Sequence, residues 1–300
     1  MKKTLALISM VLLIAGCKGV RSNIQKDDTI EKLRDYNVAK ENLAPKQRII
    51  IGKIKNYSRF GTQRTDSIAK DVLMTELSKT GRFNVLERED LDSVLEELAF
   101  SNSLGQKSIL PRQKFLDSDY VIVGSVSKYE INTTGTKSII SKNKEQRAEA
   151  AIELKVIDVL NGKVWSETGE GTSTVSFGTV LGAGTYGSYG SLEKEAFRAA
   201  VIDGVEKIVK KIDSMPWSAA VVKKNGNSLI INSGAENNLK LGTKLNVYKQ
   251  GEPVVYRGEL LGYEETLVGT ATVKSYVGTG AATVEYKGVD FSLPAVVKLK

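Results

Sequence analysis

Cys17 is the one thiol in a chain of 300 residues that contains no histidine. A thiolate is the strongest nucleophile among ordinary side chains. Without imidazole there is no His-based acid–base chemistry, no Ser–His triad and little scope for zinc. A single cysteine also rules out an intramolecular disulfide. The acids Glu87, Glu89 and Asp90 fall together where a periodic segment begins. There they read as a helix start and surface ion pairs, because the helix dipole favours acids in the first turn. Gly182-Ala183-Gly184-Thr185-Tyr186-Gly187 fits G-x-G-x-x-G and precedes a helix. A dinucleotide site would need a strand after that helix, with an acid about twenty residues on. The acid at that distance, Asp203, falls in mid-helix, and no strand closes the unit before Pro216. No catalytic, cofactor-binding or metal-binding residue is assigned, and no enzymatic activity is expected.

The surroundings of Cys17 give its thiol a use. Lys2 and Lys3 form a basic start, and Leu5 to Ala15 is an apolar run too short to cross a bilayer as a helix. It ends in Leu13-Ile14-Ala15-Gly16-Cys17, which resembles a bacterial lipobox: an aliphatic residue, small residues, then cysteine. The resemblance implies diacylglyceryl transfer to the Cys17 thiol, cleavage after residue 16 and acylation of the new amine. The alternative is a plain secretory signal whose first mature residue is cysteine. Several acyl chains would anchor the chain stably, at about 0.8 kcal/mol per buried CH₂. Lys18, not aspartate, follows Cys17, which by resemblance to enterobacterial lipoprotein sorting implies the outer membrane, facing the periplasm.

These residues need elements to position them. With 41% hydrophobic and 26% charged residues the chain is of ordinary globular type. Its net charge of +8 becomes 8 − 2 = +6 once Lys2 and Lys3 leave with the signal peptide. That excess is spread along the chain, so no nucleic-acid partner is expected. Residues 17–45 form a polar tether, with a possible amphipathic helix from Asp28 to Asn42; it is either a solvated spacer or an arm on a neighbouring subunit. Arg48 to Asn56 begins as a continuous apolar run, suited to a strand covered on both faces. Asp66 to Lys79 has helical apolar spacing, with Asp66 as N-cap and Gly81 as the glycine stop. Phe83, Val85 and the aliphatic part of Arg88 bracket a short strand, with Glu87 and Arg88 as an ion pair and a helix from Asp90 to Leu98. Asp119 to Val126 and Ala150 to Val159 are strands, Asn161-Gly162 is a tight hairpin turn, and Leu192 to Ile212 is a long helix. Ala196, Ala199, Ala200, Ile208 and Ile212 are its inward candidates.

Lys46 to Asn56, Gly81-Arg82-Phe83-Asn84-Val85-Leu86-Glu87-Arg88, Asp119 to Ser125 and Val156 to Val164 together resemble the CsgG family. Its founding members are curli-secretion channel lipoproteins, and related α/β domains occur in lipoproteins that activate peptidoglycan synthases. The resemblance implies an α+β fold: a mixed β-sheet with packed helices over residues 46–214. It also implies a homo-oligomer, with a secreted or envelope protein as partner and the membrane held through acylated Cys17. Two excursions, about 128–149 and 167–192, correspond to the family's barrel hairpins. They read either as barrel strands or as long periplasmic loops. The first carries a heavily charged return from Lys142 to Arg147, a charge suited to a hairpin tip.

After Ser214-Met215-Pro216-Trp217 the pattern changes to short alternating strands and glycine turns, giving a small all-β, barrel-like domain over residues 217–300. Asn225-Gly226 signals a hairpin between Ala219–Lys224 and Ser228–Asn232. Lys244 to Lys249, Gly269 to Tyr276 and Ala281 to Tyr286 supply three more strands. Ile231 to Tyr248, with Gly251 to Val255, resembles the C-terminal domain of the flagellar assembly protein FlgT. The expected function is a lipid-anchored oligomeric outer-membrane component for secretion or envelope assembly, as an export channel or as a non-porating scaffold or regulator.

Overall fold

Two sheets organise the chain, and a computed structural model describes them over residues 21–22, 45–58, 64–86, 118–137, 141–180, 183–184, 189–257 and 259–300. The first sheet takes β1 (Arg21–Ser22), β2 (Gln47–Asn56), β3 (Phe83–Leu86), β4 (Tyr120–Lys137), β5 (Ser141–Asp158), β6 (Val164–Val180) and β7 (Ala183–Gly184). Its order is β1-β6-β5-β4-β2-β3, with β7 also on β6. Only β2 pairs in parallel, with β3 and β4, so the sheet is mixed, as expected. Two helices, α1 (Arg64–Lys79) and α2 (Tyr189–Asp213), share its core.

The apolar run of β2 follows from cover on both faces. Ile49 and Ile51 face the main core with the helices, while Ile50 joins Val121, Ile157 and Val159 on the opposite side. In α1, Ala69, Leu73 and Leu77 are fully buried. The helix stops at Gly81, whose φ of +68° is the left-handed conformation that glycine adopts without a Cβ clash. Glu76 is buried in α1 and held by Arg198 Nε of α2 at 2.8 Å and Lys79 Nζ at 3.2 Å. The five inward candidates of α2 are all buried.

The second sheet is a closed antiparallel barrel. Its strands are β8 (Ser218–Asn225), β9 (Ser228–Ile231), β10 (Lys244–Tyr256), β11 (Glu259–Val277), β12 (Ala281–Gly288) and β13 (Ala295–Leu299). They close in the order β10-β11-β12-β9-β8-β13 around Val221, Leu229, Leu245, Val247 and Val284. Closure removes the open edges that would otherwise template association.

Several boundaries differ from the sequence expectation. The turn at Asn161-Gly162 spans four residues, Val159 to Gly162, because the Asp158 carboxylate accepts from the amides of Leu160 and Asn161 at 3.0 and 2.9 Å. The first hairpin of the barrel turns on Gly226-Asn227, one residue later than expected, since Asn225 pairs with Ser228. Helix α1 starts at Arg64, before Asp66, and α2 starts at Tyr189, before Leu192. The second excursion is not a hairpin of its own. It is the far half of β6, a two-residue return at β7 and the first turn of α2. The barrel has a sixth strand, β13, that the alternation did not single out. Cys17, the 28–42 segment, the Glu87–Arg88 pair and the 90–98 helix lie outside the described residues.

Candidate functional site

A buried polar cluster sits where the two sheets meet. The Arg48 amide donates to Asp119 Oδ2 at 2.7 Å and the Arg48 guanidinium to Oδ1 at 3.0 Å. The Asp119 amide returns a bond to the Arg48 carbonyl at 2.9 Å. Burial pushes the Asp119 carboxyl up, against the charge and hydrogen bonds of Arg48, which pull it down. Burial also raises Asp158, opposed by its bonds from Asn161 and Leu160. Tyr120 is raised by burial and by the charges of Asp158 and Asp119. Raised carboxyls can mark catalytic acids. Here the carboxylates are engaged by their own chain: the Asp158 turn seats Leu160 in an apolar cluster with Ala220 and Val296 of the barrel and Tyr248 packed against it. The cluster builds a joint between the two sheets. A second joint lies nearby, where the Lys46 amide donates to the Asn237 carbonyl, Asn237 Nδ2 to the Lys46 carbonyl and Asn84 Nδ2 to the Glu236 carbonyl.

Away from the joint, β4, β5 and β6 run past the end of β2 as a three-stranded ribbon in unbroken register from Lys128–Ala151 to Lys137–Lys142. Both sequence excursions belong to it. One face is ionic: Lys128 Nζ meets Glu149 at 2.8 Å and Glu130 at 3.7 Å, and Arg147 Nε meets Glu149 at 3.1 Å. The Lys128 bond holds the Glu149 carboxyl below its ordinary range. The other face is occupied by α2. Tyr129 stacks on Phe197 at 5.1 Å, and Ala148, Ala150 and Val175 are buried beside them. In the first excursion Tyr129 is therefore buried, while Ile131 is half exposed.

The backbone of α2 lies directly on β6. Ala196, Ala200 and Gly204 recur every four residues and meet Gly169 and Gly171. A Cβ on Gly171 would fall 2.3 Å from the Ala200 nitrogen, and one on Gly169 would fall 2.0 Å from the Ala200 carbonyl oxygen. This explains the glycines of β6, which the sequence reading could equally assign to a loop. Asp203, the mid-helix acid, guards the sheet edge. Its Oδ2 accepts from the Glu170 amide at 3.0 Å, while Lys207 Nζ donates to the Thr168 carbonyl at 2.6 Å and to Asp203 at 2.8 Å. Further along the same edge, β1 pairs with Thr174 and Ser173. In the glycine motif Ala183 and Gly184 pair with β6 as a strand.

The barrel adds one exposed feature. Beyond Gln250, β10 and β11 continue as a two-stranded arm with Val254, Val255, Tyr256 and Leu261 about half exposed. Among the described residues no group of three His, Cys, Asp or Glu could hold a metal ion. No described helix is long and apolar enough to cross a membrane, which leaves strands unaddressed.

Comparison with known proteins bears on these surfaces. A protein of Neisseria meningitidis serogroup B, named as a lipoprotein, is 25% identical over 229 residues, covering 72% of this chain and 98% of its own. The crystal structure of lipoprotein GNA1162 from Neisseria meningitidis is 14% identical with a TM-score of 0.28, covering 56% of this chain and 99% of that one. The LpoB C-terminal domain from Salmonella enterica is 15% identical with a TM-score of 0.26, covering 49% and 98%. The family described as curli production assembly/transport component CsgG matches residues 37–228, which span the helix-covered sheet from β2 to α2 without β1. The chain belongs to the CsgG family.

Proposed function

We propose that the chain is an envelope lipoprotein, anchored in the outer membrane through acylated Cys17, facing the periplasm and acting as a non-enzymatic scaffold in secretion or envelope assembly. Family membership supports the envelope role, as does the lipoprotein name of the Neisseria relative. Association into a homo-oligomer and engagement of a secreted or envelope protein belong to the same proposal. The observation that carries the non-porating form is the two-sided use of the ribbon. One face holds the Lys128–Glu149–Arg147 ion-pair ladder and the other is covered by α2. A lipid-facing strand needs an apolar outward band, and a charge at mid-bilayer costs about 2–4 kcal/mol. The ladder would bring several such charges.

A channel remains the second reading, because β4, β5 and β6 have 18, 18 and 17 residues. A spanning strand needs only about 9–11 residues. Electron microscopy of detergent-extracted protein with conductance in planar bilayers separates the two. A scaffold gives no unitary conductance, and stepwise currents from rings would overturn it. Cys17→Ala should shift the protein from membrane to soluble fractions; unchanged retention would sink the anchoring.

A further inference from the structure

We infer that Asn225 is a self-modification site: the Gly226 amide nitrogen closes on the Asn225 side chain to give a succinimide, and then an isoaspartate that loosens the β8–β9 hairpin. The chain has two Asn-Gly pairs, Asn161-Gly162 and Asn225-Gly226, and both lie at tight turns. Asn-Gly is the sequence most prone to this cyclisation, because glycine sets no Cβ beside the attacking nitrogen. In the reaction the Gly226 nitrogen loses its proton to solvent base and bonds to Asn225 Cγ. The Cγ–Nδ2 bond breaks and ammonia leaves. Water then opens the ring. Opening at Cγ leaves ordinary aspartate; opening at the backbone carbonyl leaves the chain linked through the side chain, as isoaspartate. One water is consumed and one ammonia released, and no oxidant or reductant takes part.

The two pairs have the same sequence and opposite surroundings. At Asn161 the reacting groups are held. The Gly162 amide, the would-be nucleophile, donates to the Asp158 carbonyl at 2.8 Å. Asn161 Nδ2 donates to Asp158 Oδ2 at 2.7 Å, and the Asn161 amide to Oδ1 at 2.9 Å. Leu260 Cδ2 of the barrel arm stands 2.7 Å from where a Gly162 Cβ would lie, so the space beside the attacking residue is filled. At Asn225 the reacting groups are open. Asn225 is exposed and lines an open groove with Lys274 and Glu285, so water reaches its side chain. A Cβ on Gly226 would meet nothing within 4 Å. Among the described residues neither the Asn225 side chain nor the Gly226 amide has a hydrogen-bond partner. Asn225 must rotate out of extended backbone to react, and as the last residue of β8 it gives up only the closing rung with Ser228. The neighbouring Asn227 is less free, since its carbonyl accepts from the Tyr286 amide at 2.7 Å. Isoaspartate adds a methylene to the main chain beside this two-residue loop. Loop length fixes hairpin register, so the rungs Asn225–Ser228 and Lys224–Leu229 are disturbed, and Leu229 belongs to the barrel core.

The test ages the full folded chain at mildly alkaline pH and maps its peptides by mass spectrometry, with isoaspartate distinguished from aspartate by isoaspartyl-specific methylation. The amide-to-acid mass gain should appear at Asn225 with isoaspartate as the larger product. At Asn161 it should be at least about tenfold slower, the factor that one strong hydrogen bond supplies. In urea the two sites should convert at similar rates. Asn225→Gln, whose longer side chain closes the ring far more slowly, should stay unmodified at this position. Amide hydrogen exchange in β8 and β9 should be faster in the aged chain than in the fresh one, and unchanged by ageing in Asn225→Gln. Conversion of Asn161 in the folded chain as fast as Asn225 would overturn the assignment. So would no gain at Asn225 over a time in which the urea-unfolded chain converts, or aspartate without isoaspartate, the signature of direct hydrolysis. A gap between the two sites that persists in urea would show that flanking sequence and not the Asp158 turn protects Asn161, and would also overturn it. Unchanged exchange in the aged chain would refute the loosening of the hairpin.

Discussion

Lys46 and Asn237, 191 residues apart, exchange hydrogen bonds in both directions. The Lys46 amide donates to the Asn237 carbonyl at 2.6 Å, and Asn237 Nδ2 donates to the Lys46 carbonyl at 3.1 Å. The start of the first sheet is thus tied to the 3-10 turn Ala235–Asn237 of the barrel. Asn237 is fully buried, and its Oδ1 also accepts from the Gly234 amide at 3.3 Å. Asn237→Ala leaves the part-buried Lys46 carbonyl and the buried Gly234 amide without these partners. The expected loss is about 1–3 kcal/mol in urea unfolding. A loss below about 0.5 kcal/mol, the range of featureless surface positions, would mean that the joint is held elsewhere.

The contact of α2 with β6 makes a sharper prediction. Gly171→Ala places a methyl 2.3 Å from the Ala200 nitrogen and 2.4 Å from the Ala196 carbonyl oxygen. Backbone on both sides cannot swing away, so the helix must lift off the strand. The cost should reach about 3 kcal/mol, the upper range of overpacking. Gly226→Ala meets nothing within 4 Å but sits at φ +57°, and should cost only about 1 kcal/mol. Thermal melting of both variants checks the ranking; the reverse order would refute the close approach.

Much of this fold was readable in advance, for identifiable reasons. The Ile49-Ile50-Ile51 run announces a strand covered on both faces, and it is one. The stop at Gly81 and the spacing of Leu73 and Leu77 announce α1. The far half of β6 was ambiguous because its glycines reflect a helix backbone approaching from another part of the sequence. Local pattern cannot report such a partner. Gly251 and Pro253, noted in the sequence only as part of the FlgT-like stretch, lie in β10 at a register shift, a place where a strand tolerates proline. The joint was invisible for the same reason as the β6 contact: Arg48, Asp119 and Asp158 each look like strand-end charges until tertiary pairing brings them together. The family was legible because its motifs sit in contiguous stretches.

Asp203 and Lys207 satisfy backbone groups on the open edge of β6 that a neighbouring strand would otherwise take. Asp203→Ala frees the Glu170 amide. The bond is exposed, so the stability loss should stay within about 1 kcal/mol. The larger effect should be on association, because an unguarded edge is a template for strand pairing. Light scattering across a concentration series should show more association than wild type, and Asp203→Asn, which keeps an acceptor, should restore the wild-type profile. If Asp203→Ala scatters like wild type, the pair does not guard the edge.

Asp158 carries the pH dependence of the joint. Burial lifts its carboxyl above the ordinary 3.8, and the bonds from Asn161 and Leu160 only partly offset this. A carboxyl with a raised folded value binds its proton more readily in the native than in the unfolded state. Native stability from this group therefore rises as pH falls from the raised value toward 3.8, and the charged form costs stability at neutral pH. Asp158→Asn keeps an oxygen to accept from the Leu160 and Asn161 amides but cannot titrate. Urea midpoints of wild type and variant, followed from neutral to mildly acidic pH, should diverge in favour of wild type on acidification. Carboxylates remote from the turn, including the lowered Glu149, are common to both proteins and cancel in the difference, whereas Asp119, whose charge helps to raise Asp158, is part of the effect read. Divergence in favour of the variant would show that the hydrogen bonds outweigh burial and hold Asp158 charged, and the turn that seats Leu160 on the barrel would then be an acid-labile joint, not an acid-tolerant one.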